Sequence, residues 1–229
     1  MNPHVIDVEK LEREYVLKGE TVHALRGVSL SIAGGEFLAV AGPSGSGKST
    51  FLNLIGGLDS PTSGTVSVEG HALSALTPAQ LAQLRRDRIG FVFQAYNLIP
   101  VLSALENVEY VMLLQGRPEE ERRSRSLAVL EEVGLKGMEH RRPAELSGGQ
   151  QQPVAVARAI ASEPALVLAD EPTANLDSST GSELLDTMAA LNQRHGTTFV
   201  FSTHDGKIME RASRLVWLKD GTVESDKAQ

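Results

Sequence analysis

The stretch that most constrains this chain is Gly42-Pro43-Ser44-Gly45-Ser46-Gly47-Lys48-Ser49-Thr50. It matches G-x-x-x-x-G-K-[ST] and has the right neighbours. Before it runs a short apolar segment, residues 36–41, bounded by Gly35 and Gly42, which fits a fully buried strand. After it, from Lys48 to Ile55, the pattern turns helical. In a strand–turn–helix of this kind the glycines let the backbone curl, so that successive N–H groups point into one concavity. The positive end of the helix adds to that nest, and the whole suits a polyphosphate. Lys48 is placed to reach the β- and γ-phosphates and the Ser49 hydroxyl to ligate Mg²⁺. A glycine-rich turn that binds nothing is the competing reading, and only motifs further along the chain can separate the two.

A loop of this kind needs a sheet behind it, and the rest of the chain supplies one. Ile6 and Val8 alternate with Asp7 and Glu9, and Val28, Leu30 and Ile32 alternate with Ser29 and Ser31, the period of half-buried strands. Residues 166–169 are apolar, residues 198–202 are β-rich and residues 215–218 close the series. Between them the segment Ser178–His195 reads as a helix with Gly196 just past its end. The middle, roughly residues 97–155, is rich in helix formers. There Pro118 fits a first helical position, Glu119, Glu120 and Glu121 occupy the turn where the helix dipole favours acids, and Gly134 is a stop. Strands alternating with helices predict an α/β fold around a mainly parallel sheet, with the helical middle as an insert.

Composition narrows the function classes. The 229 residues carry 22 Lys+Arg against 29 Asp+Glu, a net charge of -7, whereas a nucleic-acid binder usually shows a basic excess. No apolar run approaches the roughly 18 residues of a membrane-spanning helix, and the charged N-terminus does not read as a signal peptide. There is no cysteine, hence no disulfide and no thiolate metal site. These features predict an acidic, cytosolic globular protein.

Four further motifs decide between P-loop classes. Leu146-Ser147-Gly148-Gly149-Gln150 comes first, then Leu166-Val167-Leu168-Ala169-Asp170-Glu171 at a strand end, then Asn175-Leu176-Asp177, then Ser202-Thr203-His204-Asp205. Asp170 ends an apolar strand, so its carboxylate emerges where α/β sheets bind ligands. His204 follows a β-rich run and lands on the same edge. Ser147-x-x-Gln150 reads as a capping box at a helix start, a second anion site for which the same chain has no second P-loop.

This set, in this order, resembles the ATP-binding cassette (ABC) ATPases over essentially the whole chain. The resemblance implies a P-loop core with a mixed, mainly parallel sheet, an N-terminal antiparallel β subdomain and an inserted α-helical subdomain. Residues 1–94 and 156–229 would form the core with its β subdomain, and residues 95–155 the helical part. It implies that Asp170 holds Mg²⁺ through water with Ser49 and Gln94, that Glu171 is the general base, and that His204 contacts the γ-phosphate. Gln94, after the β-like run 89–93, resembles the glutamine that touches Mg²⁺ and the attacking water. Tyr15 resembles the aromatic that stacks on adenine.

In such proteins two subunits pack head to tail, so Ser147, Gly148, Gly149 and Gln150 would close on the partner's ATP, with Asp177 near the seam. One position departs from the pattern. Gln150-Gln151-Gln152-Pro153 stands where the family reads Q-x-x-R, and Pro153 implies a kink or an irregular first turn in the signature helix. The segments Gly56-Gly57-Leu58-Asp59, Pro61-Thr62-Ser63-Gly64, Gly90-Phe91-Val92-Phe93-Gln94, Leu105-Glu106-Asn107-Val108 and Arg142-Pro143-Ala144-Glu145-Leu146 resemble the subgroup serving lipoprotein release and macrolide-type export. The implied partner is a separate integral-membrane permease, with the ATPase peripheral on the inner face of the cytoplasmic membrane. An amino-acid-importer ATPase and a soluble non-transport ABC ATPase are the alternatives.

Overall fold

The computed structural model describes residues 4–17 and 19–229, except for the side chain of residue 17. Its centre is a six-stranded sheet ordered β10-β9-β3-β8-β7-β6. The strands are β3 (Phe37–Ala41), β6 (Ile89–Val92), β7 (Leu166–Asp170), β8 (Thr198–Thr203), β9 (Arg214–Lys219) and β10 (Thr222–Ala228). All neighbouring pairs from β9 to β6 run parallel, and only β10 returns antiparallel on β9. Three apolar runs of the sequence are three of the four inner strands, β3, β7 and β8: β3 and β8 are buried along their whole length, as parallel strands covered on both faces must be.

The two faces of this sheet feed two cores. Phe37, Ala39, Val167, Ala169, Phe199 and Phe201 point one way, into a core shared with Val154, Val156, Leu184, Leu185 and Met188. Leu38, Val40, Leu166, Leu168, Val200 and Val216 point the other, against Phe51, Leu54 and Ile55 and a second sheet. That second sheet is antiparallel, ordered β2-β1-β4-β5, from β1 (His4–Leu17), β2 (Glu20–Ala33), β4 (Ser63–Val68) and β5 (His71–Ala72). Ile6 and Val8 of β1, and Val28, Leu30 and Ile32 of β2, face this core as their alternation predicts.

Seven α-helices occur among the described residues: α1 (Lys48–Ile55), α2 (Pro78–Arg88), α3 (Ala104–Leu114), α4 (Glu119–Glu132), α5 (Gly148–Ala161), α6 (Ser178–His195) and α7 (Gly206–Arg211). The helical insert is α3, α4 and α5. The helix α4 begins one residue after Pro118, which is its N-cap, and ends before Gly134, whose φ of 78 is the left-handed conformation of a helix stop. Helix α6 has the expected bounds, with Gly196 left-handed at its end. Two elements were not anticipated. Helix α2 buries none of its residues, so it carries no apolar period to read. Its signal lay in Thr77-Pro78-Ala79-Gln80, a capping box in which Thr77 Oγ1 accepts from Gln80 N while Gln80 Oε1 accepts from Thr77 N. The β4–β5 pair is short and half exposed. Helix α5 also runs across residue 155, so the insert and the core share one helix. No helix among the described residues is long and apolar enough to cross a membrane.

Candidate functional site

Because β3, β8, β7 and β6 are parallel neighbours in register, their carboxyl ends form one edge. Ala41 lies beside Thr203, Asp170 beside Ser202, and Val92 beside Ala169. The residues that follow each strand therefore converge there: the P-loop after β3, His204 after β8, Glu171 after β7 and Gln94 after β6. This is the crevice in which α/β sheets bind ligands. A cavity of about 540 Å³ occupies it, lined by Ser44, Gly45, Gly47, Lys48, Ser49, Thr50, Gln94, Glu171 and His204.

The loop that holds the phosphate nest is tightly built. A Cβ on Gly42 would lie 2.0 Å from Leu218 O, and one on Gly47 would lie 2.4 Å from Ala24 O, so only glycine fits either position. Gly47, left-handed at φ 102, turns the chain into α1. Lys48 is almost wholly buried, and its ammonium donates to Gly42 O at 2.9 Å and Pro43 O at 3.0 Å. The cation thus sits inside the concavity of the loop. At the next residue, Ser49 Oγ donates to Asp170 Oδ1 at 3.0 Å. A hydroxyl and a carboxylate in contact are the hard oxygen donors that Mg²⁺ takes, with phosphate oxygens completing its shell. No cluster of three or more His, Cys, Asp or Glu that would hold a metal by itself occurs among the described residues.

Across the cavity, His204 Nδ1 lies 2.7 Å from Glu171 Oε1. The histidine side chain is 72% exposed and the glutamate side chain 16%. Glu171 has φ 46, a left-handed conformation that costs a non-glycine residue about 1–3 kcal/mol, and its N–H donates to Ser202 O at 2.9 Å. The turn at the end of β7 therefore holds this carboxylate against the end of β8. Backbone strain of this sort concentrates at functional sites.

Not every expected residue reaches the cavity. Tyr15 does not line it; β1 register places Tyr15 opposite Val22, which does. The Tyr15 hydroxyl donates to Asp59 Oδ2 at 2.8 Å, and the Arg13 guanidinium lies 4.5 Å from its ring centroid. Val22, His23, Ala24 and Ala174 line the cavity without having been anticipated. The first three are consecutive and precede Leu25, the first buried position of β2, so no alternation marked them.

The signature residues lie at the start of α5. Ser147 is the N-cap, and its N–H donates to Gln150 Oε1 at 3.1 Å, one half of the capping box. The glycines are crowded within their own chain: a Cβ on Gly148 would meet the Tyr96 hydroxyl at 2.9 Å, and one on Gly149 the Thr180 methyl at 2.9 Å. None of Ser147, Gly148, Gly149 and Gln150 lines the cavity of its own chain. Helix α5 continues through Pro153 without ending. In its first turn both Gln150 N and Gln151 N donate to Ser147 O at 2.9 Å, so a tight i→i−3 bond accompanies the regular one. Asp177 N-caps α6, accepting from the N–H and hydroxyl groups of Ser179 and Thr180. Those bonds hold its carboxyl well below the usual carboxylate range.

Comparison with known proteins agrees with this geometry. The family model described as ABC transporter matches residues 25–174. The lipoprotein-releasing system ATP-binding protein LolD of Legionella pneumophila (strain Lens) is 44% identical over 97% of this chain and 98% of its own length. The macrolide export ATP-binding/permease protein MacB of Escherichia coli is 45% identical over 97% of this chain, which spans 34% of that longer protein. Among solved structures, a dimeric post-hydrolysis state of the ATP-binding cassette MJ0796 bound to ADP and Pi superimposes with a TM-score of 0.90 at 44% identity. It covers 97% of this chain and 98% of that one. The chain belongs to the ABC transporter family and is an ATP-binding cassette ATPase.

Proposed function

We propose that this chain hydrolyses ATP as the motor of an export or lipoprotein-release transporter, and that its two nucleotide sites are shared between two copies. The carrying observation is the contact of His204 with Glu171 on the cavity that also contains Lys48 and Ser49. Four residues from three strand ends thereby face one polyphosphate-sized space.

In this reading the P-loop, Gly42 to Thr50, cradles the phosphates and Lys48 moves from its loop carbonyls onto the β/γ-phosphates. Ser49, Asp170 and Gln94 hold Mg²⁺, which when bound neutralises phosphate charge. Glu171 takes a proton from the attacking water as that water forms its bond to the γ-phosphorus. The bond to the β-phosphate oxygen breaks, giving ADP and phosphate. His204 orients Glu171 and the γ-phosphate. Tyr15, opposite the cavity-lining Val22, supplies the adenine stack. Ser147, Gly148, Gly149 and Gln150 serve the ATP of a second copy, with Asp177 near the seam; their distance from their own cavity supports this. Residues 1–94 and 156–229 act as the core with its β subdomain and residues 95–155 as the helical part, hinged on α5.

The names of the relatives, LolD and MacB, support a permease partner and an export or release role, and with it a place on the inner face of the cytoplasmic membrane. A second cavity of about 320 Å³ fits that partner. It lies between core and insert and is lined by Phe91, Phe93, Val111 and Leu114, with Leu113 and Leu114 half exposed beside it. The test of the chemistry is Glu171→Gln. Turnover should fall at least a hundredfold while ATP affinity by calorimetry stays within about threefold. Hydrolysis at the wild-type rate would remove Glu171 from the role.

A further inference from the structure

We propose that Gln152 is a positioning residue that ties the signature helix to the two segments carrying Gln94 and Glu171. Hydrolysis in a chain's own pocket then depends on where its own signature helix sits. This rests on the reading above, in which Gln94 and Glu171 act on one ATP and Ser147 to Gln150 on the partner's.

Gln152 lies two residues past the signature, in α5, and is completely buried. Its side-chain amide nitrogen donates to Pro172 O at 2.9 Å and to Phe93 O at 3.4 Å. Pro172 follows Glu171, and Phe93 precedes Gln94. A single NH₂ group therefore joins three parts of the chain: the start of α5, the turn after β7 and the loop after β6. The other amide atom, Gln152 Oε1, is buried with no hydrogen-bond partner. An orphaned buried acceptor is a standing cost that needs a reason. Packing gives none, because an unbranched apolar side chain would fill the same space without it. The donors do give one, since without them Pro172 O would lose its hydrogen bond and the loop after β6 its tie to the turn after β7.

The loop that Gln152 grips is held along its length. Asn175 Nδ2 donates to Gln94 O at 2.9 Å, and Arg158, also on α5, donates to Tyr96 O and Asn97 O. Tyr96 and Asn97 both have positive φ, 59 and 50, a conformation that survives only where surroundings enforce it. Three side chains thus fix the carbonyls on both sides of Gln94. Of the two on α5, only Gln152 also reaches the Glu171 side. A movement of the α5 start by about an ångström, as when it docks on a partner's nucleotide, is passed by this amide to both hydrolytic groups. Reaction geometry is sensitive on that scale.

The test uses the full chain with Gln152→Met, close in volume but without donors, beside wild type. The melting temperature, ATP affinity by calorimetry and ATP-dependent dimerisation in a Glu171→Gln background should all remain. Saturating turnover should fall at least tenfold, and the Hill coefficient for ATP should drop to 1. Gln152→Asn, whose amide falls one methylene short, should split turnover from affinity in the same way. A folded Gln152→Met with wild-type turnover and Hill coefficient overturns the proposal. So does early melting with loss of ATP binding in both variants, which would make Gln152 a fold-stabilising residue only. If wild type is itself non-cooperative and Glu171→Gln never dimerises, the shared-site reading has failed first and the proposal falls with it.

Discussion

The carboxyl edge of the six-stranded sheet and the first turn of α5 are the two phosphate-facing surfaces of the proposed function, and they are built differently. At the sheet edge, position comes from strand register: each functional residue stands at the end of a buried apolar run whose neighbours fix its height. At α5, position comes from side chains that cross large sequence distances to backbone carbonyls, Gln152 to Phe93 and Pro172, and Arg158 to Tyr96 and Asn97. The edge is rigid by topology. The helix start is tied to the edge through a few side-chain hydrogen bonds, and in the proposed function it is the part that adjusts. That division suits an enzyme whose chemistry stays in place while a second surface opens and closes.

The comparison can be broken at either side. The largest effect is expected at the edge. Lys48→Ala removes the one ammonium in the loop concavity, so ATP affinity should fall on the order of 100-fold, about 2–3 kcal/mol for a charged hydrogen-bonding partner. Calorimetry on the isolated chain decides it, and affinity equal to wild type would undo the phosphate assignment.

A smaller effect is expected at Asp177, on the helix side. Its carboxyl is held low by the Ser179 and Thr180 hydroxyls and N–H groups, so it is charged in the fold well below its ordinary 3.8. A lowered folded-state pKa contributes stability that is full above that value and is lost as pH falls through the folded one. Asp177→Ala should therefore melt earlier than wild type at neutral pH, and the gap should close below about pH 3.8. A gap unchanged by acid would mean that the cap does not depend on the charge.

The smallest effect concerns Pro153. It cannot donate to the Gly149 carbonyl, a loss of up to about 3 kcal/mol in a regular helix. Yet α5 continues through it. Pro153→Arg should raise the melting temperature by a few degrees and turnover about twofold, leaving ATP affinity alone. If neither rises, α5 accommodates the proline fully and the signature closes as in its relatives.

What could be read beforehand follows the same division. Buried parallel strands announce themselves as short apolar runs, and at their ends stand the P-loop, Asp170, Glu171 and His204. The bounds of α6 were legible because an apolar face, a basic last turn and Gly196 agree. Helix α2 was not, since a helix with no buried face has no period, and only its capping box marks it. Gln152 and Arg158 were invisible for a deeper reason. Their acceptors are main-chain carbonyls, which every residue has, so no pattern of residue types records the contact. Tyr15 was named from resemblance alone, and its bond to Asp59 and its place outside the cavity wall depend on strand register that the motif does not encode.

The central claim is that the sheet edge of one copy and the α5 start of another make one site. Size-exclusion chromatography with light scattering on the Glu171→Gln chain tests it directly, since that variant should hold ATP without consuming it. With ATP the 24.6 kDa chain should elute at twice its mass. Adding Ser147→Arg, which crowds the signature, should return it to the monomer while ATP affinity by calorimetry is unchanged. A Glu171→Gln chain that binds ATP and stays monomeric would contradict the account. So would a Ser147→Arg change that weakens ATP binding to the isolated chain, because it would put the signature in its own pocket.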